Sequence, residues 1–180
     1  MADIVSERYA LSLYEIAGTD KKEKTYLDEL SAVCAVFRQQ PDFLKVLSTP
    51  SIAPEEKRTV LKTVFDGRVE PYLLNFLMLI TDKGRIGLIA DMYEAYKEQY
   101  YFANGIVEVR AITAKPMSSA LTEKLKTKMC AVTGKQVELR TSVDENLIGG
   151  IVVKVNNKQF DTSLRTKLSE IAQQLSKTIA

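Results

Sequence analysis

The spacing of apolar residues along this chain changes once, at Gly105. From Asp3 to about Asn104 the repeat is helical, with apolar side chains at i, i+3, i+4 and i+7. Leu27, Leu30, Val33, Cys34 and Phe37 form one such stripe, which must stop before Pro41. A short helix over Asp42 to Leu47 follows. Pro54 then opens a helix that carries Val60, Leu61, Val64 and Phe65 and ends at Gly67. The spacing predicts further helices over Glu70 to Thr81 and Gly87 to Phe102, and a first one over Ile4 to Ala17. After Gly105 the pattern alternates. Ile106 to Thr113 and Gln136 to Ser142 read as strands around a helix over Ser118 to Val132, which Gly134 closes. Ile151 to Val155 is a further strand, with a turn at Asn156-Asn157. Asp161 reads as the N-cap of a last helix whose stripe is Leu164, Leu168, Ile171, Leu175 and Ile179. The expectation is a two-domain protein. An N-terminal all-α six-helix bundle covers residues 1–105, and a small C-terminal α/β domain covers 106–180.

Composition removes several kinds of chemistry. The chain has no histidine, so it lacks the imidazole of Ser-His-Asp and Cys-His sites and of many metal centres. No catalytic residue, cofactor site or metal site is expected. The net charge of +2 is too small to argue for nucleic acid. Cys34 and Cys130 are far apart and read as packed, reduced thiols. The longest apolar run, Tyr72 to Ile80, is shorter than the roughly 20 residues needed to span a bilayer, and Asn75 breaks it. The N-terminus does not read as a secretory signal. Membrane association is therefore expected only indirectly, through a partner protein.

Other motifs have structural readings. Gly149-Gly150 lacks the Lys-Ser/Thr of a phosphate loop and reads as a tight turn. Lys124, Lys126 and Lys128 read as a solvated helix face. Lys83 and Arg85 are expected to meet the last carbonyls of the helix before them. Tyr93, Tyr96, Tyr100 and Tyr101 suggest base stacking only if a basic groove accompanies them; otherwise they are core and rim.

Several pieces, in order, resemble the delta subunit family of bacterial F-type ATP synthase and its mitochondrial relative, the oligomycin-sensitivity-conferring protein. They are Arg8-Tyr9-Ala10 with Leu13-Tyr14-Glu15-Ile16-Ala17, Leu47-Ser48-Thr49-Pro50 followed by Lys57, and Asn75-Phe76-Leu77 followed by Lys83-Gly84-Arg85. Leu147-Ile148-Gly149-Gly150 and Asp161-Thr162-Ser163-Leu164 with Leu168 complete the set. The resemblance implies a non-catalytic stator subunit at the cytoplasmic face of a bacterial cell membrane. Its helical bundle would grip the N-terminal helix of an alpha subunit. Its second domain would meet the C-terminal ends of the b subunits of the peripheral stalk.

The helix over Glu70 to Thr81 is apolar nearly all round, and the first helix is apolar over much of its circumference. Burial on every side explains this for a central helix. A partner-binding groove explains it equally. The resemblance implies that these two helices form the alpha-binding surface. The candidate groove residues are Tyr9, Ser12, Leu13, Met78 and Leu79. The competing readings are a generic helical adaptor, an RNA-binding protein and, last, an enzyme.

Overall fold

The structure is a computed structural model that describes residues 4–155, 158–162 and 166. The chain divides into two compact units, Met1–Tyr100 and Tyr101–Ala180.

The first unit is helical. Its elements are α1 (Ile4–Thr19), α2 (Glu23–Gln39), α3 (Pro41–Ser48), α4 (Pro54–Phe65), α5 (Pro71–Asp82) and the start of α6 (Ile89–Ala103), with a 3-10 turn at Ile86–Leu88 before α6. Proline opens α3, α4 and α5, where its fixed φ suits the first turn and its missing N–H has no intrahelical partner to lose. The 3-10 turn lies where the spacing predicts a helix from Gly87. Gly84, at φ 65°, ends α5, and Arg85 N–H returns to Ile80 O at 2.7 Å.

The stripes predicted for α2 and α4 are largely buried, though Val60 is 37% exposed. In α1 the buried stripe is Ser6, Ala10, Leu13 and Ala17, whose small residues suit close approach by a neighbouring helix. α1 packs on α2 and on α5, and α5 packs also on α4. Phe37, Phe43 and Phe65 form one aromatic cluster, with centroids 5.3 to 6.2 Å apart. Tyr93 and Tyr96 are buried, and Tyr96 Oη donates to Glu23 O at 3.0 Å. These two rings are therefore core, not a stacking platform.

The second unit carries a four-stranded sheet in the order β2-β1-β3-β4. Its elements are β1 (Ile106–Thr113), α7 (Ser119–Thr133), β2 (Gln136–Val143), β3 (Ile151–Val155) and β4 (Lys158–Asp161). β1 and β2 are parallel and joined by α7; β3 is antiparallel to β1, and β4 is antiparallel to β3. Ser118 Oγ caps α7 by accepting from Leu121 N–H, and Gly134 closes it at φ 65°. Alternation in β1 turns Val107, Val109, Ala111 and Thr113 inward. Val107, Val109, Val137 and Val153 form the core of the unit, with Met129 and Cys130 of α7 against them. Asp161 is the last residue of β4, and its Oδ2 accepts from Thr166 Oγ1 at 2.9 Å. The helix predicted beyond it and the turn at Asn156-Asn157 lie outside the described residues.

Candidate functional site

α5 is apolar all round in sequence, but it has an inside and an outside. Leu73, Leu74, Phe76, Leu77, Ile80 and Thr81 are buried. Tyr72 and Leu79 are 54% and 46% exposed, and both lie on the flank that begins at Phe76. Phe76 meets Tyr9 of α1 edge to face, with centroids 6.2 Å apart. This pair identifies the neighbouring flanks of the two helices. On α1, the residues spaced along the Tyr9 flank are Val5, Ser12 and Ile16.

Tyr9 is half-buried and fixed from above by Arg85, whose Nη1 donates to the Tyr9 hydroxyl at 2.9 Å. The guanidinium carbon sits 5.5 Å from the centroid of the same ring. The side chain of Arg85 thus turns to α1, where the sequence reading sends it to the carbonyls of α5. Two other charged links hold the unit's helices together. Arg58 of α4 reaches Asp82 at the end of α5 at 2.6 Å. Lys22 reaches Glu70, beside the start of α5, at 2.9 Å. The Arg58 and Lys22 side chains have their pKa values raised by the hydrogen bonds they donate to these carboxylates.

The five candidate residues separate into three places. Tyr9, Ser12 and Leu79 lie along the α1–α5 seam, with Ser12 exposed and its hydroxyl donating to Arg8 O at 3.0 Å. Leu13 is only 1% exposed, so it cannot line a surface groove. It belongs to the inward stripe of α1 and supports the seam from below. Met78 is half-buried, roughly 100° around α5 from Leu79. It lines a different depression, of 510 Å³, with Glu29, Asp66, Arg68 and Asn75 among its neighbours. There the Glu29 carboxylate accepts from the N–H of Glu70, the residue before α5, at 2.8 Å. Burial pushes the Glu29 carboxyl above the usual range, against the lowering effect of that N–H. Ile16, Tyr72 and Arg85 join the seam although the sequence reading did not select them for it. Ile16 is 42% exposed.

The seam is an apolar surface with one fixed cation at its end, suited to receiving a side of another helix. Among the described residues no group of three or more His, Cys, Asp or Glu has metal-binding geometry, and no helix is long and apolar enough to cross a membrane.

Residues 5–175 match the family model for the ATP synthase delta (OSCP) subunit. The chain belongs to the ATP synthase delta (OSCP) subunit family. It is accordingly a structural, non-catalytic subunit of an F-type ATP synthase. It is 34% identical over 179 residues to the ATP synthase subunit delta of Alkaliphilus oremlandii, covering 99% of each chain. It is 34% identical over 172 residues to that of Synechocystis sp., covering 95% of this chain and 93% of the other. The fold is similar to that of a chain in the cryo-EM structure of the Toxoplasma gondii mitochondrial ATP synthase hexamer. The TM-score is 0.73 at 18% identity, over 96% of this chain and 98% of that one.

Proposed function

We propose that this delta-family subunit is the connector of the peripheral stalk, with the α1–α5 seam as its grip on the catalytic head. The N-terminal six-helix bundle, residues 1–105, receives the N-terminal helix of an alpha subunit along Tyr9, Ser12, Ile16, Tyr72 and Leu79. The α/β domain, residues 106–180, meets the C-terminal ends of the b subunits. The complex sits at the cytoplasmic face of the cell membrane, and this chain reaches the membrane only through its partners. Held in this way, the head cannot turn with the rotor, so ion flow is coupled to ATP synthesis.

The observation that carries the reading is the exposed apolar flank of α5 beside the fixed Tyr9 ring. Leu79 and Tyr72 are too exposed to serve the core, and Tyr9 is held in one orientation by an arginine. Fixing the ring beforehand lowers the side-chain entropy lost when a partner docks. A helix-in-groove contact of this kind is dominated by apolar burial.

The test uses heads stripped of their native delta subunit. The full chain should rebind them and restore coupled synthesis in reconstituted membranes. The Leu79→Asp chain should fold and yet fail to rebind. Equal rebinding by that variant would remove the seam from the head contact.

A further inference from the structure

Arg58, Lys22 and Arg85 each tie two parts of the first unit together, but they end on different groups. Arg58 grips Asp82 with Nε at 3.2 Å from both oxygens and Nη2 at 2.6 Å from Oδ2. Lys22 reaches the Glu70 carboxylate at 2.9 Å. Arg85 ends on a neutral hydroxyl instead, that of Tyr9. Asp82, the carboxylate nearest to Arg85 in sequence, is held by Arg58. Among the described residues no carboxylate lies within 4.0 Å of the Arg85 guanidinium, and Tyr9 is its one side-chain hydrogen-bond partner.

A guanidinium carries its N–H donors in a planar fork. The bond to Tyr9 uses one of them, at Nη1, and the contact with the ring limits how far the group can swing. Nε and Nη2 together match the two oxygens of a carboxylate, and they have no protein partner among the described residues. Arg85 is exposed, so solvent serves them in the free chain. A helix laid on the α1–α5 seam changes this, because it removes water from the end of the seam as well as from Leu79. A cation that loses hydration without gaining an acceptor weakens binding. We infer that the partner helix carries an Asp or Glu side chain that pairs with Nε and Nη2 of Arg85, and that this pair sets where along the seam the helix stops. This rests on the seam being the head contact.

The apolar part of the seam sets the rest of the pattern. Tyr72 and Leu79 are seven residues apart, about 10 Å along α5, and so are Tyr9 and Ile16 on α1. Two turns of a partner helix match that length, with apolar residues at i, i+3 or i+4, and i+7. Arg85 follows the end of α5, so the carboxylate belongs about one turn outside that apolar set. A helix with the same stripe and no acid there fits the seam but not its end. The pair acts on choice of partner and register more than on raw affinity.

The test is a double-mutant cycle on the full chain, with a peptide of the alpha subunit's N-terminal helix as the probe. Each Asp and Glu of the peptide is replaced in turn by Asn or Gln. Each peptide is then titrated against wild type, Arg85→Gln and Leu79→Asp. One neutralised peptide is expected to bind wild type about fivefold more weakly, and to lose nothing further against Arg85→Gln. Arg85→Glu together with replacement of that peptide acid by Lys should recover part of the binding that either reversal alone removes. A role of Arg85 only in holding Tyr9 predicts no such recovery. If every neutralised peptide binds wild type as the unmodified one does, or loses equally in wild type and Arg85→Gln, the pair is overturned, while weakening by Leu79→Asp still supports the seam. No binding of the unmodified peptide to wild type overturns the seam and the pair together.

Discussion

Arg85 holds Tyr9 by two contacts at once, a hydrogen bond of 2.9 Å to its hydroxyl and a guanidinium carbon 5.5 Å from its ring centroid. The two residues are 76 positions apart, so the contact ties the first helix to the turn after the fifth. An exposed cation–π contact is worth about 0.5–1 kcal/mol. Arg85→Ala should therefore cost little stability, about 1 kcal/mol or less. It should still weaken helix binding a few-fold, because Tyr9 loses its fixed orientation. Urea denaturation and calorimetry of the same variant separate the two effects.

Leu79 and Met78 are adjacent in sequence and on different sides of α5. Leu79→Asp puts a charge on the seam and should weaken the partner helix by at least about tenfold, the effect of losing an interface anchor. Met78→Asp faces the depression beside Glu29 and should leave that affinity unchanged. Circular dichroism should show both variants folded. Equal loss in both would show that the partner covers the opposite side of the helix as well.

Leu13 has the reverse profile. It is 1% exposed, so Leu13→Ala opens a cavity in the core and should destabilise the unit by about 2–5 kcal/mol. The denaturation midpoint should move while peptide affinity, measured well below the melting temperature, changes little.

The helical unit should be sensitive to alkali. Burial, the largest cause in each case, pushes Tyr26 from 10.0 to about 12 and Cys34 from 9.0 to about 11, and it raises Tyr14 and Tyr96 as well. Each folded value lies above the unfolded one. The folded state therefore binds more protons in that interval, and stability falls as pH rises. The contribution is complete below about pH 9 and is lost towards pH 12. Tyrosinate absorbance from the buried rings should appear together with loss of helicity. Ionisation of all tyrosines while the helices persist would contradict this.

Much of the fold is legible in the sequence because two periods differ so plainly. The 3.6-residue stripe of Leu27, Leu30, Val33 and Phe37 and the alternation of Val107, Val109 and Ala111 each leave one arrangement that buries their apolar atoms. The site is less legible, for a physical reason. α5 carries apolar residues on almost every side and α1 over much of its circumference, so spacing tells which residues share a flank but not which flank faces the core. Leu13 and Leu79 therefore look alike in sequence, yet Leu13 is 1% and Leu79 46% exposed. Arg85 was hidden for another reason. Its long side chain reaches α1, whereas local rules point it to the helix end beside it.

The most direct test of the connector role is a calorimetric titration of the full chain with a peptide of the alpha subunit's N-terminal helix, at low and high salt. One-to-one binding is expected, with a negative heat-capacity change and little dependence on salt, and with loss in Leu79→Asp but not in Met78→Asp. Absence of binding at both salt concentrations, or affinity that collapses steeply as salt rises, would contradict the apolar seam as the grip on the catalytic head.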